Sequence, residues 1–525
     1  MAARIRKAPR KTPRPKNPDA RSAMPHNRRR TRRGAAERGV RIRMYRQGLG
    51  DCFLLRFPKR DGSDFKMLID CGVILGSDVQ RLRACVTDLA KTTNGEIDLL
   101  VITHEHWDHL SAFLDAKNEM AGIVFRDVWL AWTEDPADPV AREIRAEFEA
   151  HKRLLFGLND ATSERLASLS PGARAIHPLA PLSDLLGFFG AASGKTRDAL
   201  SEARSRGSVT YRKPGDPPWT TPDLPGIRIY TLGPPRDPKA IKKTNAAKEQ
   251  YEIAPGAEMI RSFFAAASVN DATADPSGGI AGLFRAASMR ADEGGRLADV
   301  QALDQPFDLT YQRALDEIEA ERKTDRSRWS STLRFLDRYY WGPDPDSGRP
   351  DQDWRRIDDD WLGLGTELAL ALDNATNNTS LVLAIELVES GRVLLFPADA
   401  QAGNWLSWND LAWSVDGKSV TATDLLRRTV FYKVGHHGSH NATMKSQGLE
   451  LMESTDLVAF IPVDEVMAKK RGWNRMPLPA LVDVLREKTA NRVLRSDDPK
   501  QTSYAAFRGR LEVDDLFYEY AVPEQ

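Results

Sequence analysis

Cysteine is scarce in this chain, with three in 525 residues, Cys52, Cys71 and Cys85. Three thiols cannot build a disulfide framework, and their spacing fits no zinc-finger pattern. Each reads as a small buried hydrophobe, and the chain as one expected in a reducing, cytoplasmic compartment. Long apolar runs are missing as well. No stretch approaches the ~18 residues of a membrane-spanning helix, and the basic N-terminus lacks the apolar core of a secretory signal. Nor is there an excess of one charge: 75 Lys and Arg face 74 Asp and Glu. Bulk charge therefore neither selects a nucleic-acid partner nor excludes one, because charge can be unevenly spread. No internal repeat is present, which argues against a solenoid.

What is present is uneven. Residues 1–39 are crowded with Arg4, Arg6, Lys7, Arg10, Lys11, Arg14, Arg28–Arg30, Arg32 and Arg33, with few acids between them. Such a segment buries too little apolar surface to order itself and reads as a basic disordered tail able to hold a polyanion by charge. The alternative is a coding start at Met24 or Met44. Residues 40–114 carry short β-branched and aromatic runs (40–46, 52–57, 65–69), a helical pattern at 79–92 and an apolar strand at 97–102. This strand, helix, strand order predicts an α/β layered fold. Residues 115–374 read as a large, mainly helical insertion, with amphipathic patterns at 140–156, 306–323 and 330–340. Strand texture returns in 375–525, at 380–388, 392–396, 430–434, 492–495 and 511–520, with a helix at 478–488.

The chemistry concentrates where strand 97–102 ends, in Thr103-His104-Glu105-His106-Trp107-Asp108-His109. His104 and His106, two apart, face one side if the backbone stays extended. A turn then brings Asp108 and His109 to a neighbouring position. Imidazole and carboxylate are the usual ligands of zinc and related divalent ions. The plainer reading is a solvated histidine-rich loop, but three of the chain's nine histidines lie within these six positions.

His-x-His-x-Asp-His after an apolar strand resembles the signature of the metallo-β-lactamase superfamily. Leu68-Ile69-Asp70-Cys71-Gly72 resembles its early Asp-x-Gly strand end, Phe396-Pro397-Ala398-Asp399 its segment for a metal-bridging Asp, and Val434-Gly435-His436-His437-Gly438-Ser439 its last histidine segment. Gly48–Cys52, Asn377–Leu381, His436–Ser439 and Val493–Asp497 further resemble the hydrolase domain of the DNA-uptake protein ComEC. The likeness covers about 40–110 and 375–500, without channel segments. It implies an αββα sandwich and a metal centre of His104, His106, Asp108, His109, Asp399 and His436. One or two Zn²⁺ are implied, with Mn²⁺ the alternative, and Asp70 supporting the histidines from behind.

Three departures stand out. Asn377 or Asn378 takes the place of a ligand histidine, which weakens the His104/His106 site for zinc; His177 is a substitute from the insertion. Leu478 stands where relatives often have a histidine, and the 115–374 insertion has no counterpart. Neighbours in an extended segment point apart, so one of His436 and His437 binds metal. His436, first after the strand, is preferred; His437 and His440 become candidates for proton donation, and Ser439 and Lys433 for substrate contact. The implied function is metal-dependent hydrolysis of a phosphodiester, as a phosphodiesterase or nuclease, by a metal-bound hydroxide held at Asp108 and Asp399. Lys433, Arg475, Arg495 and the basic tail lend that reading charge. The alternatives are a hydrolase of a lactam, lactone or thioester, or a metal-stabilised binding protein presenting Trp405, Trp408 and Trp413.

Overall fold

The computed structural model describes residues 39–149, 152, 195–243, 246, 249, 315–340, 370, 372–471, 473–498 and 502–523. Its strands are β1 (Arg41–Tyr45), β2 (Cys52–Pro58), β3 (Asp64–Cys71), β4 (Glu96–Val101), β5 (Val124–Ala131), β6 (Ser208–Arg212), β7 (Ile227–Gly233), β8 (Val382–Leu387), β9 (Arg392–Phe396), β10 (Ala412–Val415), β11 (Lys418–Thr421), β12 (Thr429–Lys433), β13 (Val458–Ile461), β14 (Val493–Arg495), β15 (Leu511–Val513) and β16 (Phe517–Ala521). Fourteen of them form two sheets, ordered β15-β16-β1-β2-β3-β4-β5-β6 and β14-β13-β12-β9-β8-β7; β10 and β11 pair separately. In the first sheet β3 to β6 run parallel, and in the second so do β9, β12, β13 and β14.

Alternation decides the layering. Along β2, Phe53, Leu55 and Phe57 face the second sheet, where they meet Leu383, Ile385, Phe396, Phe431 and Phe460 in one buried cluster. Leu54, on the opposite face, packs outward with Leu82, Val86 and Leu89. Those three belong to helix Val79–Thr93, whose buried residues recur every three to four positions. Asp78 caps the start of this helix, and Asn94, at φ 54°, ends it in the left-handed region that Asn tolerates. Helices Ala422–Arg427 and Pro479–Lys488 cover the outer face of the second sheet, with Trp405, Trp408 and Trp413 buried beneath. The result is the α/β layered arrangement of a metallo-β-lactamase fold, helices outside and two sheets within.

Three expectations change. The 115–374 segment, in its described residues, is not simply a helical insertion, since it supplies β5, β6 and β7, strands of both sheets. In β5 the Arg126-Asp127 pair hid the alternation; the two charges fall at a short exposed stretch before Val128–Ala131 go under. The final strand at 511–520 is two strands, β15 and β16, and β16 leaves the second half of the chain to pair with β1. The three tryptophans are core, not surface. The basic tail, His177 and most of the remaining expected insertion lie outside the described residues. Among the described residues, no helix is long and apolar enough to cross a membrane.

Candidate metal centre

The C-terminal ends of β3, β4, β9 and β12 converge at one end of the sandwich, the place where parallel strands leave their following loops. Asp70, next to last in β3, has φ 54°, a strained conformation for a non-glycine residue. It is held by its own side chain: Oδ1 accepts from Thr103 N at 2.9 Å and Oδ2 from Thr103 Oγ1 at 2.7 Å. Gly72, two residues on, lets the β3 end touch the loop carrying Asp108; a Cβ there would sit 2.6 Å from the Asp108 backbone. The backbone N–H of Asp51 donates to that same Asp108 carbonyl at 3.1 Å. The second sheet is tied in by Leu381 N, which donates to Thr103 O at 2.8 Å.

Four imidazoles meet here, and each has one ring nitrogen engaged on its outer side. His109 Nδ1 lies 2.8 Å from Asp70 Oδ2, His437 Nδ1 is 2.6 Å from Pro462 O, and His104 Nδ1 is 3.0 Å from Thr103 Oγ1. His106 Nε2 is 3.3 Å from Asp373 Oδ1. The Pro462 carbonyl accepts, and the Thr103 hydroxyl spends its proton on Asp70, so the second nitrogen of each ring, His104 Nε2, His106 Nδ1, His109 Nε2 and His437 Nε2, is the one turned inward. His104 Nε2 and His106 Nδ1 stand 2.9 Å apart, close enough to share one ring proton or, with both bare, to hold one cation between them. The other two face carboxylates: His109 Nε2 is 3.1 Å from Asp399 Oδ2, and His437 Nε2 is 2.9 Å from Asp108 Oδ2.

Asp51, His109, Asp399 and His437 form a group with one ligand-type atom each, all within 4.8 Å of one another. Asp51 differs from the rest. It approaches both imidazoles at Nδ1, at 3.9 and 3.7 Å, behind the inward nitrogens. Its Oδ2 instead takes Lys433 Nζ at 2.6 Å. Lys433 is fully buried and also donates to Asp399 Oδ1 at 3.1 Å and Ala398 O at 2.8 Å. Its three protons are spent, so it is a charge inside the centre and not a contact for substrate. Arg495 is likewise occupied, by Glu465 and Asp497.

Of the histidine pair, His437 and not the expected His436 lies in the group of four. The histidine pair is not extended: His436 and His437 both have left-handed backbones, φ 44° and 52°. That turn carries His437 inward to Asp108, while His436 stays half-buried with Nδ1 3.0 Å from Ser439 Oγ. Ser439 passes its proton to Asn441 Oδ1 at 2.8 Å, and Asn441 Nδ2 lies 3.3 Å from Asn374 Oδ1. His440 ends the same loop, half-buried and outside the group of four. Asn378 does not face the centre. Its amide donates to Ile241 O and Lys243 O and accepts from the backbone N–H groups of Gln401 and Asn404, so it pins three chain segments. Asn377 Nδ2 lies 3.3 Å from Asp373 Oδ2. Ala398 takes φ 52°, a conformation that glycine adopts freely; its carbonyl is held there by Lys433 and by His436 N at 3.2 Å.

Electrostatics divides the four imidazoles into two pairs, His104 and His106 lowered, His109 and His437 raised by the facing carboxylates. Burial, aided by the neighbouring imidazoles, pushes His104 far below its ordinary value; burial also takes His106 down to about 3. Both are neutral and available as donors of lone pairs. Burial works against charge on His109 too, but Asp399, Asp108 and Asp70 outweigh it and hold the ring well above the usual range. Burial opposes ionisation of Asp399, yet Lys433 and His109 keep its carboxyl well below the ordinary value. Burial also pushes Asp373 well above and Asp51 above the ordinary carboxylate value, so both would ionise more readily beside a cation. The donor set fits divalent ions.

Asp51 and Asp373 are the site residues that sequence reasoning missed. Asp51 lay in the Gly48–Cys52 segment without a role. Asp373 carried no signal beyond standing four residues before Asn377.

A model of the metallo-beta-lactamase superfamily matches residues 45–164. No curated protein and no solved structure matches the chain. The matched span holds Asp51, Asp70, His104, His106, Asp108 and His109; Asp373, Asp399, Lys433 and His437 come from beyond it.

Proposed function

We propose that the protein is a metal-dependent hydrolase with two divalent ions in this centre, zinc or alternatively manganese, and that it cleaves a phosphodiester of a nucleotide or nucleic acid. The metal reading is carried by the four inward nitrogens, two of them facing each other and two facing Asp399 and Asp108. Divalent ions there supply Lewis acidity and make water a competent nucleophile near neutral pH. The chain's own residues then have separable tasks. Asp70 and the Pro462 carbonyl hold His109 and His437 in the ligating tautomer. Lys433 engages one oxygen of Asp399 and leaves the other toward His109.

Among the described residues, the half-buried members of the network are Asp373, Asn374 and His436, all polar. That favours a hydrated, ionic substrate over an acyl one, as does the likeness of Asn377–Leu381 and His436–Ser439 to the ComEC-type domain. With Lys433 and Arg495 already paired, phosphate charge would fall to the ions. The same pairing is what a lactam, lactone or thioester hydrolase would show, and this is the second reading. Burial of the tryptophans removes the support they lent to a binding-only role. Three free, buried cysteines suit the cytoplasm.

The test is turnover of an activated phosphodiester, single-stranded DNA, a lactone and a thioester by protein loaded with Zn²⁺ or Mn²⁺. Asp108→Ala serves as control. Phosphodiester cleavage lost in the variant supports the reading. Turnover of the acyl substrates alone selects the second reading, and bound metal without any turnover refutes both.

A further inference from the structure

We propose that Asp373 is the positioning residue of the His104/His106 ion, acting through His106; the inference rests on the metal reading above. Three of the four inward imidazoles are held from behind by Asp70, Thr103 and the Pro462 carbonyl. For His106 the partner is Asp373, whose Oδ1 lies 3.3 Å from Nε2. Taking the Nε2 proton leaves Nδ1 bare, and Nδ1 is the nitrogen 2.9 Å from His104 Nε2. Asp373 meets the ring at the nitrogen that faces away from His104. It therefore sets the tautomer and tilt of a ligand and does not itself complete the ligand set.

The surroundings of Asp373 hold it in that place. Its second oxygen is 3.3 Å from Asn377 Nδ2, one helical turn further along the segment 372–377, where side chains four apart are neighbours. That turn is anchored by Asn378, whose amide makes four bonds to backbone. The chain thus has a clamp here: Asn378 fixes the segment, Asn377 fixes the carboxylate, and the carboxylate fixes His106. Outer partners of this kind typically change metal affinity by about 10–100-fold.

The experiment is stepwise binding of Zn²⁺ to the full chain by calorimetry, with bound metal counted by elemental analysis. Co²⁺ visible absorption serves as a second readout of the ligand field, and circular dichroism as a check on folding. The variants are Asp373→Ala, Asp373→Asn, His106→Ala and the double variant His106→Ala/Asp373→Ala. Asp373→Ala is expected to weaken one of the two ions about 10–100-fold and to alter the Co²⁺ spectrum, leaving the other ion unchanged. Asp373→Asn keeps an acceptor oxygen, so it should lose less; it also serves if the alanine variant does not fold. The double variant should bind no more weakly than His106→Ala alone, because Asp373 acts through that ring. Two ions bound by Asp373→Ala with wild-type affinity would overturn the proposal. So would a double variant weakened by the full product of the single effects, which would make Asp373 a direct ligand. A wild-type chain that takes up fewer than two ions would instead sink the two-ion reading on which the proposal stands.

Discussion

Replacing Lys433 with methionine keeps most of the side-chain stem and removes the ammonium. In the structure that ammonium satisfies Asp51 at 2.6 Å, Ala398 O at 2.8 Å and Asp399 at 3.1 Å, with 1 % of the residue exposed. The opposing carboxylates outweigh burial and hold Lys433 above its ordinary value, so it stays charged at any working pH. Removing one partner of a buried ion pair costs about 3–5 kcal/mol, because the other charge is left buried and uncompensated. In a domain of this size each kcal/mol moves the melting temperature by roughly 2–4 °C, so metal-free Lys433→Met should melt about 6–20 °C below wild type. The gap should narrow when metal is added, since cations at Asp399 take over part of the compensation, and also when Asp51→Asn removes one of the stranded charges. Thermal melts of chelator-treated and metal-loaded protein read all of this. If Lys433 were a substrate contact, KM would rise and the melting temperature would hold. A shift under about 2 °C in the metal-free variant, well below the worked range, together with a raised KM, would refute the reasoning.

Other perturbations separate neighbouring residues. His437→Ala should lose bound metal, while His436→Ala should retain it with a changed rate, both read by elemental analysis beside turnover; equal metal content in the two would return the ligand role to His436. Asn378→His, attractive on motif grounds as a way to restore a ligand, should gain no metal and should lower stability by about 1–3 kcal/mol, because backbone groups of four residues lose their partner; tighter Zn²⁺ binding in calorimetry would contradict this. Glu519→Gln should cost about 3–5 kcal/mol, since the 1 % exposed carboxylate of β16 gathers Arg43, Arg56 and Arg41 from β1 and β2. Burial opposes the Glu519 charge, but these arginines hold its carboxyl below the ordinary value. Its stabilisation is therefore complete above the unfolded value of ~4.3 and fades as pH falls through the lower folded one. Acid titration of wild type should show that loss and the variant should not.

What could be read in advance was what lies contiguous in the chain. The donors of His104–His109 follow one strand, so their types and spacing display the chemistry before any folding. Asp399 and the histidine pair lie in equally short segments at strand ends. The layered fold was legible for the same reason, from β-branched runs around helix Val79–Thr93. Two classes of information were not. The choice between His436 and His437 turned on backbone conformation, and two successive left-handed residues at a non-glycine pair are the kind of local strain that composition does not signal. The outer partners were hidden by distance: Asp373 stands 267 positions from His106 in the chain and 3.3 Å from it in space, and only the tertiary fold relates them.

These two failures have a common cause that bears on how the centre works. Asn378, expected near the metal, instead serves the scaffold through four bonds to backbone. The rest of the centre is then held to its geometry by groups behind the imidazoles, and these groups are drawn from wherever the fold brings an acceptor close. Asp70 comes from β3, the Pro462 carbonyl from the segment after β13, and Asp373 from a helical turn leading into β8. Each fixes which nitrogen turns inward, and a bare nitrogen aimed inward is the property on which metal binding depends. A centre built this way should tolerate substitution among its surface-facing polar residues, such as His436, far better than among its buried outer acceptors. On that logic, replacement of Asp70, which touches no ion, should be as damaging to metal content as replacement of a ligand.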